Sequence, residues 1–176
     1  DGPAVLATDD AFAACINDLV STGFARLRAL PDDPDVALAL AARIGAVRDT
    51  NFGPIWDVKA DVTMAGSADT NSTANTNRRL GPHTDLPTRE TPPGFQLYCF
   101  RNEAAGGEST MADGAAVVAA LKAEHPEHYE ALTTLHWVFF NRGPGIDHRW
   151  SGPLIDLGQP GTPLTLRAFY PVRGFP

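Results

Sequence analysis

Apolar side chains recur at helical spacing in two stretches near the start of the chain. Phe12, Cys15, Ile16 and Leu19 fall on one face of a helix predicted from Asp10 to Val20, with Asp9 or Asp10 available as its cap. Gly23 releases the chain into "FARLRAL", where apolar and basic residues alternate as in a half-buried strand. A second helix is predicted from Pro34 to Ile44, with Asp33 as cap, Pro34 in the first turn and Gly45 as stop. From Val47 to Leu80 the pattern turns polar, and one short strand around "WDVKADV" sits between long loops rich in Asn, Thr, Ser and Gly. Loops of that length inside a compact domain are uncommon unless they bind something.

Strand-like runs follow: "GFQLYCF", "HWVFFN", "PLIDL" and "LTLRAF", separated by Gly/Pro turns. A helical insert from Asp113 to Leu132 interrupts them, and Pro126 is expected to break it in two. Many short strands with a few flanking helices predict a mostly β fold of the jelly-roll or double-stranded β-helix type. With 176 residues and 43% hydrophobic composition, one domain, residues 1–176, has enough material for a core.

Charge narrows the partners. A formal net charge of −7 argues against nucleic acid or an anionic membrane surface, both of which need a basic face, and favours a small molecule. A homodimer is compatible with the sequence. Cys15 and Cys99 fall in a predicted helix and a predicted buried strand, where a reduced thiol behaves as a small hydrophobe, so a cytoplasmic setting is expected. No apolar run approaches the roughly 18 residues of a membrane helix.

Candidate chemistry centres on "LGPHTDLPTRETPPGFQLYCF", Leu80 to Phe100. His83 and Asp85 stand two apart, and on bent extended backbone both can turn toward one cation. An imidazole and a carboxylate, completed by a distant histidine, form the facial triad that leaves positions open on non-haem Fe(II). Spacing alone decides little, since ~0.4 H-x-D matches arise by chance in a chain of this composition, and the bland alternative is a loop histidine beside a capping aspartate. No zinc-type run such as H-E-x-x-H is present.

The longer run "HTDLPTRETPPGFQLYCFRNEAAGGESTMADGAAVVAAL" carries H-T-D, a double proline with glycine, a Q-containing strand, G-G-E-S and D-G in order. It resembles the taurine dioxygenase superfamily of Fe(II)/2-oxoglutarate oxygenases, within it the γ-butyrobetaine and trimethyllysine hydroxylase branch, and the similarity extends from about Gly45 to Arg173. The resemblance implies His83 and Asp85 as iron ligands. It implies Ser109 beside the 2-oxoglutarate carboxylate, with Tyr98 either lining the cosubstrate pocket or in the core. In "NFGPIWDV" it implies Trp56 and Phe52 as aromatic walls for a trimethylammonium group, a cation that ring faces hold at about 0.5–2 kcal/mol each; core packing remains the alternative for both. Asn71 matches an asparagine that contacts substrate.

Three departures qualify that picture. Asn75 stands where the family carries a cage tyrosine, which favours a more polar headgroup. In "RAFYPVRG", Phe169 and Tyr170 replace paired asparagines, leaving Arg173, or Arg149 in the flexible-looking "GPGIDHRWSGP" loop, to anchor an anionic end. The family's distal iron histidine and its 2-oxoglutarate arginine fall beyond Pro176, so the chain is expected to be part of a longer protein that lacks its last jelly-roll strands here. Of the other histidines, His125 and His128 lie on a charged helical surface, His136 begins a strand, and His148 in its loop is the one expected near the site, facing substrate rather than iron. The function so implied is hydroxylation of a small amine-bearing zwitterion, γ-butyrobetaine-like or trimethylaminophosphonate-like, with O2 consumed and succinate and CO2 released. The alternative is a non-catalytic small-molecule-binding jelly roll with an incomplete metal site.

Overall fold

The computed structural model describes residues 1–50, 53–58, 80–90, 97–99, 105–106, 108–143, 145–168 and 174–175. The chain divides into two compact units, one formed by Asp1–Trp56 with Pro93–Gly107, the other by Asp57–Pro92 with Glu108–Pro176.

The first unit is helical, with α1 (Gly2–Ala7), α2 (Asp9–Thr22) and α3 (Pro34–Ile44). Thr8 serves both ends of the α1–α2 corner: its hydroxyl donates to the Ala4 carbonyl and accepts from the Ala11 amide. Asp33 accepts from the Asp35 amide to start α3, and Gly23, at φ 80, ends α2 in the left-handed region that glycine enters without a Cβ penalty. Val5 and Leu40 are the buried apolar residues here. Arg43, in the last turn of α3, stacks over the Phe12 ring at 4.2 Å, donates to the Val5 carbonyl at 2.6 Å and pairs with Asp9. It thereby satisfies a carbonyl that the C-terminus of α1 would otherwise leave open.

"FARLRAL" is not a strand. The stretch has the alternation but no partner strand among the described residues, and Ala29 at φ 57 breaks its extended backbone. The Arg28 carbonyl instead accepts from the Gly2 amide at 2.9 Å. The approach is close enough that a Cβ on Gly2 would fall 2.6 Å from that oxygen, so glycine is required there.

Among the described residues the second unit holds α4 (Gly114–Glu124), α5 (Pro126–Thr134) and five strands: β1 (Trp137–Gly143), β2 (Ile146–Gly152), β3 (Ile155–Asp156), β4 (Thr165–Leu166) and β5 (Gly174–Phe175). Asp113 caps α4 by accepting from the Ala115 and Ala116 amides, and Pro126 separates the two helices as expected. One antiparallel sheet runs β2-β1-β5, and β3 pairs antiparallel with β4. Phe139 and Ile155, at 2% and 1% exposure, form the core of this unit with Val118.

Helix outweighs strand among the described residues, and the architecture there is helices with short antiparallel strands rather than a mostly β fold. Residues 97–99 carry no regular structure, so Cys99 is exposed rather than buried in a strand. No helix is long and apolar enough to cross a membrane among the described residues.

Candidate metal-binding site

The segment 80–90 belongs to the second unit and is tied down at two points far away in sequence. At Thr84, the amide donates to the Ala168 carbonyl at 2.6 Å, and the hydroxyl accepts from the Ala168 amide at 2.9 Å. Five residues on, the Arg89 guanidinium Nη2 lies 3.2 Å from Nε2 and 3.3 Å from Nδ1 of His148 on β2. Between these anchors Leu86 adopts φ 52, a left-handed conformation that costs a side-chain-bearing residue about 1–2 kcal/mol. Such strain persists where the surroundings over-determine the backbone, as the two anchors do here.

His83 and Asp85 flank Thr84. The His83 ring donates from Nδ1 to the Gly81 carbonyl at 2.8 Å, and its Nε2 lies 3.2 Å from Asp85 Oδ1. Both side chains are partly buried. With the Nδ1 proton given to Gly81, a neutral ring presents the Nε2 lone pair to a carboxylate oxygen. Two acceptors at that distance repel unless a positive charge, a proton or a metal ion, is held by both. Two adjacent donors around an octahedral ion with bonds of about 2.1 Å stand ~3 Å apart, so the separation fits shared coordination. A backbone carbonyl that fixes the tautomer is also the usual support behind a metal-binding imidazole.

The other candidates are placed as follows. Ser109 is exposed just ahead of α4, in the same unit as His83. Tyr98 and Trp56 lie in the other unit, where the Tyr98 hydroxyl donates to the Pro31 carbonyl and Trp56 is half-buried. Phe52, Asn71, Asn75 and Arg173 lie outside the described residues.

"GPGIDHRWSGP" is not a loop: residues 146–152 form β2, because pairing with β1 from Trp137↔Gly152 to Gly143↔Ile146 makes a hairpin of them. His148 is therefore a strand residue opposite Asn141. Arg149 is held by Asp147 through Nε at 2.9 Å and Nη2 at 3.0 Å. The hydrogen bond from Arg149 keeps the Asp147 carboxyl below its ordinary range. Arg149 also borders, with Val138, Phe140 and Arg142, an open depression of about 200 Å³ on one face of the sheet.

Sequence reasoning missed Arg167. It is 3% exposed, its guanidinium lies 4.6 Å from the centre of the Trp150 ring, and Nε and Nη1 have no hydrogen-bond partner among the described residues. Burial pushes its pKa down, against a smaller attraction from Asp156. An arginine one residue before the Thr84 anchor and buried against an aromatic ring has no signature in local sequence. A cation–π contact is worth at most about 2 kcal/mol, whereas burying a guanidinium with two unsatisfied nitrogens costs several. Arg167→Met, which keeps length and a sulfur for the Trp150 ring, is therefore expected to raise stability by about 1–4 kcal/mol in denaturant unfolding. A loss of stability would show that the guanidinium has a strong partner within the protein.

Comparison with known proteins supplies the context for this pair. Residues 1–173 match the family described as taurine catabolism dioxygenase TauD, TfdA. The gamma-butyrobetaine dioxygenase of Pseudomonas sp. (strain AK-1) is 37% identical over 168 residues, covering 95% of this chain and 42% of that protein. The human gamma-butyrobetaine dioxygenase is 31% identical over 131 residues, 74% of this chain and 32% of its own length. The trimethyllysine dioxygenase of Meyerozyma guilliermondii is 32% identical over 114 residues, 64% and 27% respectively. The chain thus spans less than half the length of these relatives.

Proposed function

Because this chain belongs to the TauD, TfdA dioxygenase family, we propose that it carries part of the active site of an Fe(II)- and 2-oxoglutarate-dependent hydroxylase built on a double-stranded β-helix. The observation that carries the reading is the facing of His83 Nε2 and Asp85 Oδ1 at 3.2 Å, with the opposite ring nitrogen committed to Gly81. Iron held by His83 and Asp85 would supply the oxidising chemistry, coupling O2 and the conversion of 2-oxoglutarate to succinate and CO2 to hydroxylation of an unactivated C–H bond.

The chain's own residues hold and orient. Gly81 fixes the imidazole tautomer, the Thr84–Ala168 bonds fix the backbone between the two ligands, and Arg89 on His148 fixes the far end of the segment. A third protein ligand would be needed to complete the facial triad. Ser109 and Tyr98 are assigned to the cosubstrate on the family resemblance alone.

The substrate is proposed to be a small zwitterion bearing a quaternary or tertiary amine, by analogy with relatives named for gamma-butyrobetaine and trimethyllysine. Phe52 and Trp56 would offer ring faces to the ammonium group, which has no N–H to donate. Asn71, Asn75 and Arg173 would take the polar and anionic parts. The decisive experiment incubates the full-length protein with a panel of such amines and measures succinate release. Release that needs Fe(II), O2 and 2-oxoglutarate together is the expected result. Amine uptake unchanged by iron, with no succinate formed and no iron bound, would make the chain a binding module instead.

A further inference from the structure

Away from the His83–Asp85 pair, the corner between α4 and α5 brings together His125, Glu127 and His128, and we propose that these three side chains form a second, surface site for a zinc-class divalent ion. Their ligand atoms all lie within 4.8 Å of one another, the one such group of three among the described residues. The two imidazole centroids are 5.5 Å apart with planes tilted by 36°, and Glu127 Oε1 is 3.9 Å from His128 Nδ1. Donors around a tetrahedral zinc stand about 3.3 Å apart. Small rotations of three exposed side chains close the difference, with no movement of the backbone.

That backbone is fixed in advance. His125 is at once the C-cap of α4 and the N-cap of α5: its amide donates to the Leu121 carbonyl at 2.8 Å and its carbonyl accepts from Tyr129 at 3.0 Å. Pro126 sets φ in the first turn of α5, and His128 follows on that same turn. The ion therefore costs mainly side-chain entropy.

Electrostatics permit it. The positive end of α5 alone would oppose a cation, but the carbonyl end of α4 meets it at the same residue and offsets it. Glu124 and Glu130 add negative charge nearby, while the neighbouring Lys122 is drawn aside, with its ammonium 5.4 Å from the Tyr129 ring centre. Two imidazoles and one carboxylate suit zinc, nickel or copper, and water completes the coordination. Nothing in this assignment depends on the iron reading, since no residue is shared.

The test is calorimetry with Zn(II) on the full chain in a His83→Ala background, which removes one ligand of the other pair. One zinc per chain is expected, with a rise in melting temperature on zinc addition. Adding His128→Ala should weaken binding at least ~10-fold, on the scale that outer-shell losses already reach, and cancel the rise. Glu127→Gln should fall between. All three side chains are exposed, so circular dichroism should show these variants folded. Zinc binding that is absent in His83→Ala, or unchanged when His128→Ala is added, overturns the proposal.

Discussion

His83→Ala in the full-length protein is expected to abolish iron-dependent succinate release, by more than ~100-fold, and to lower Fe(II) affinity by at least as much. Outer-shell partners of metal ligands already cost 10–100-fold when removed, and this substitution would delete a proposed ligand outright. It also leaves Asp85 facing an empty position. The competing account of the 3.2 Å contact is a proton shared between imidazole and carboxylate. On that account the pair is a partly exposed ion pair contributing at most ~1 kcal/mol, and its removal would leave iron binding untouched. Asp85→Asn sharpens the comparison, because it preserves shape and removes charge. A metal site loses affinity with either change, whereas an ion pair gives only a small shift in stability. Thr84→Val provides the intermediate case. It removes the hydroxyl that accepts from Ala168 and keeps the backbone bond, so iron binding should weaken without being lost.

What the sequence disclosed follows from where its signals are local. The helices α2, α3, α4 and α5 announce themselves through side chains that act within one turn: Asp33 and Asp113 as caps, Gly23 and Gly45 as stops, Pro126 as a break. Strands are decided by partners: "HWVFFN", "PLIDL" and "LTLRAF" do contribute β1, β3 and β4, while two other readings failed in opposite directions. "FARLRAL" has the alternation and finds no strand to pair with, while "IDHRWSG" looks like a polar loop and becomes β2 because β1 lies beside it. Period two was present in β2 all along, with Asp147 and Arg149 pointing one way and His148 and Trp150 the other. At the site the H-x-D pair was legible because both members are two residues apart. Its supports were not: Ala168 lies 84 residues from Thr84 and His148 lies 59 from Arg89. Contacts of that separation leave no periodic trace in the chain.

Phe139→Ala is expected to destabilise the protein by about 3–5 kcal/mol, the range for truncating a buried aromatic residue. Phe139 sits mid-way along β1, 2% exposed, paired with Trp150 on one side and Gly174 on the other. Directly opposed residues share a face, so Phe139 and Trp150 lie on the side of the sheet where Arg167 stacks on Trp150. Arg167 precedes Ala168, and Ala168 holds Thr84. Loss of the ring loosens the packing of Trp150 and, through Arg167 and Ala168, the backbone at Thr84 between the two proposed ligands, so iron affinity is expected to fall along with stability. Val138→Ala is the control. Its side chain is 41% exposed on the opposite face, and its truncation should cost under ~1 kcal/mol and leave the metal site alone. Urea unfolding of the two variants measures the difference directly. Equal costs at positions 138 and 139 would mean that Phe139 does not point to the face of the sheet it shares with Trp150 and Arg167, and the packing link from the core to the 80–90 segment would fall with it.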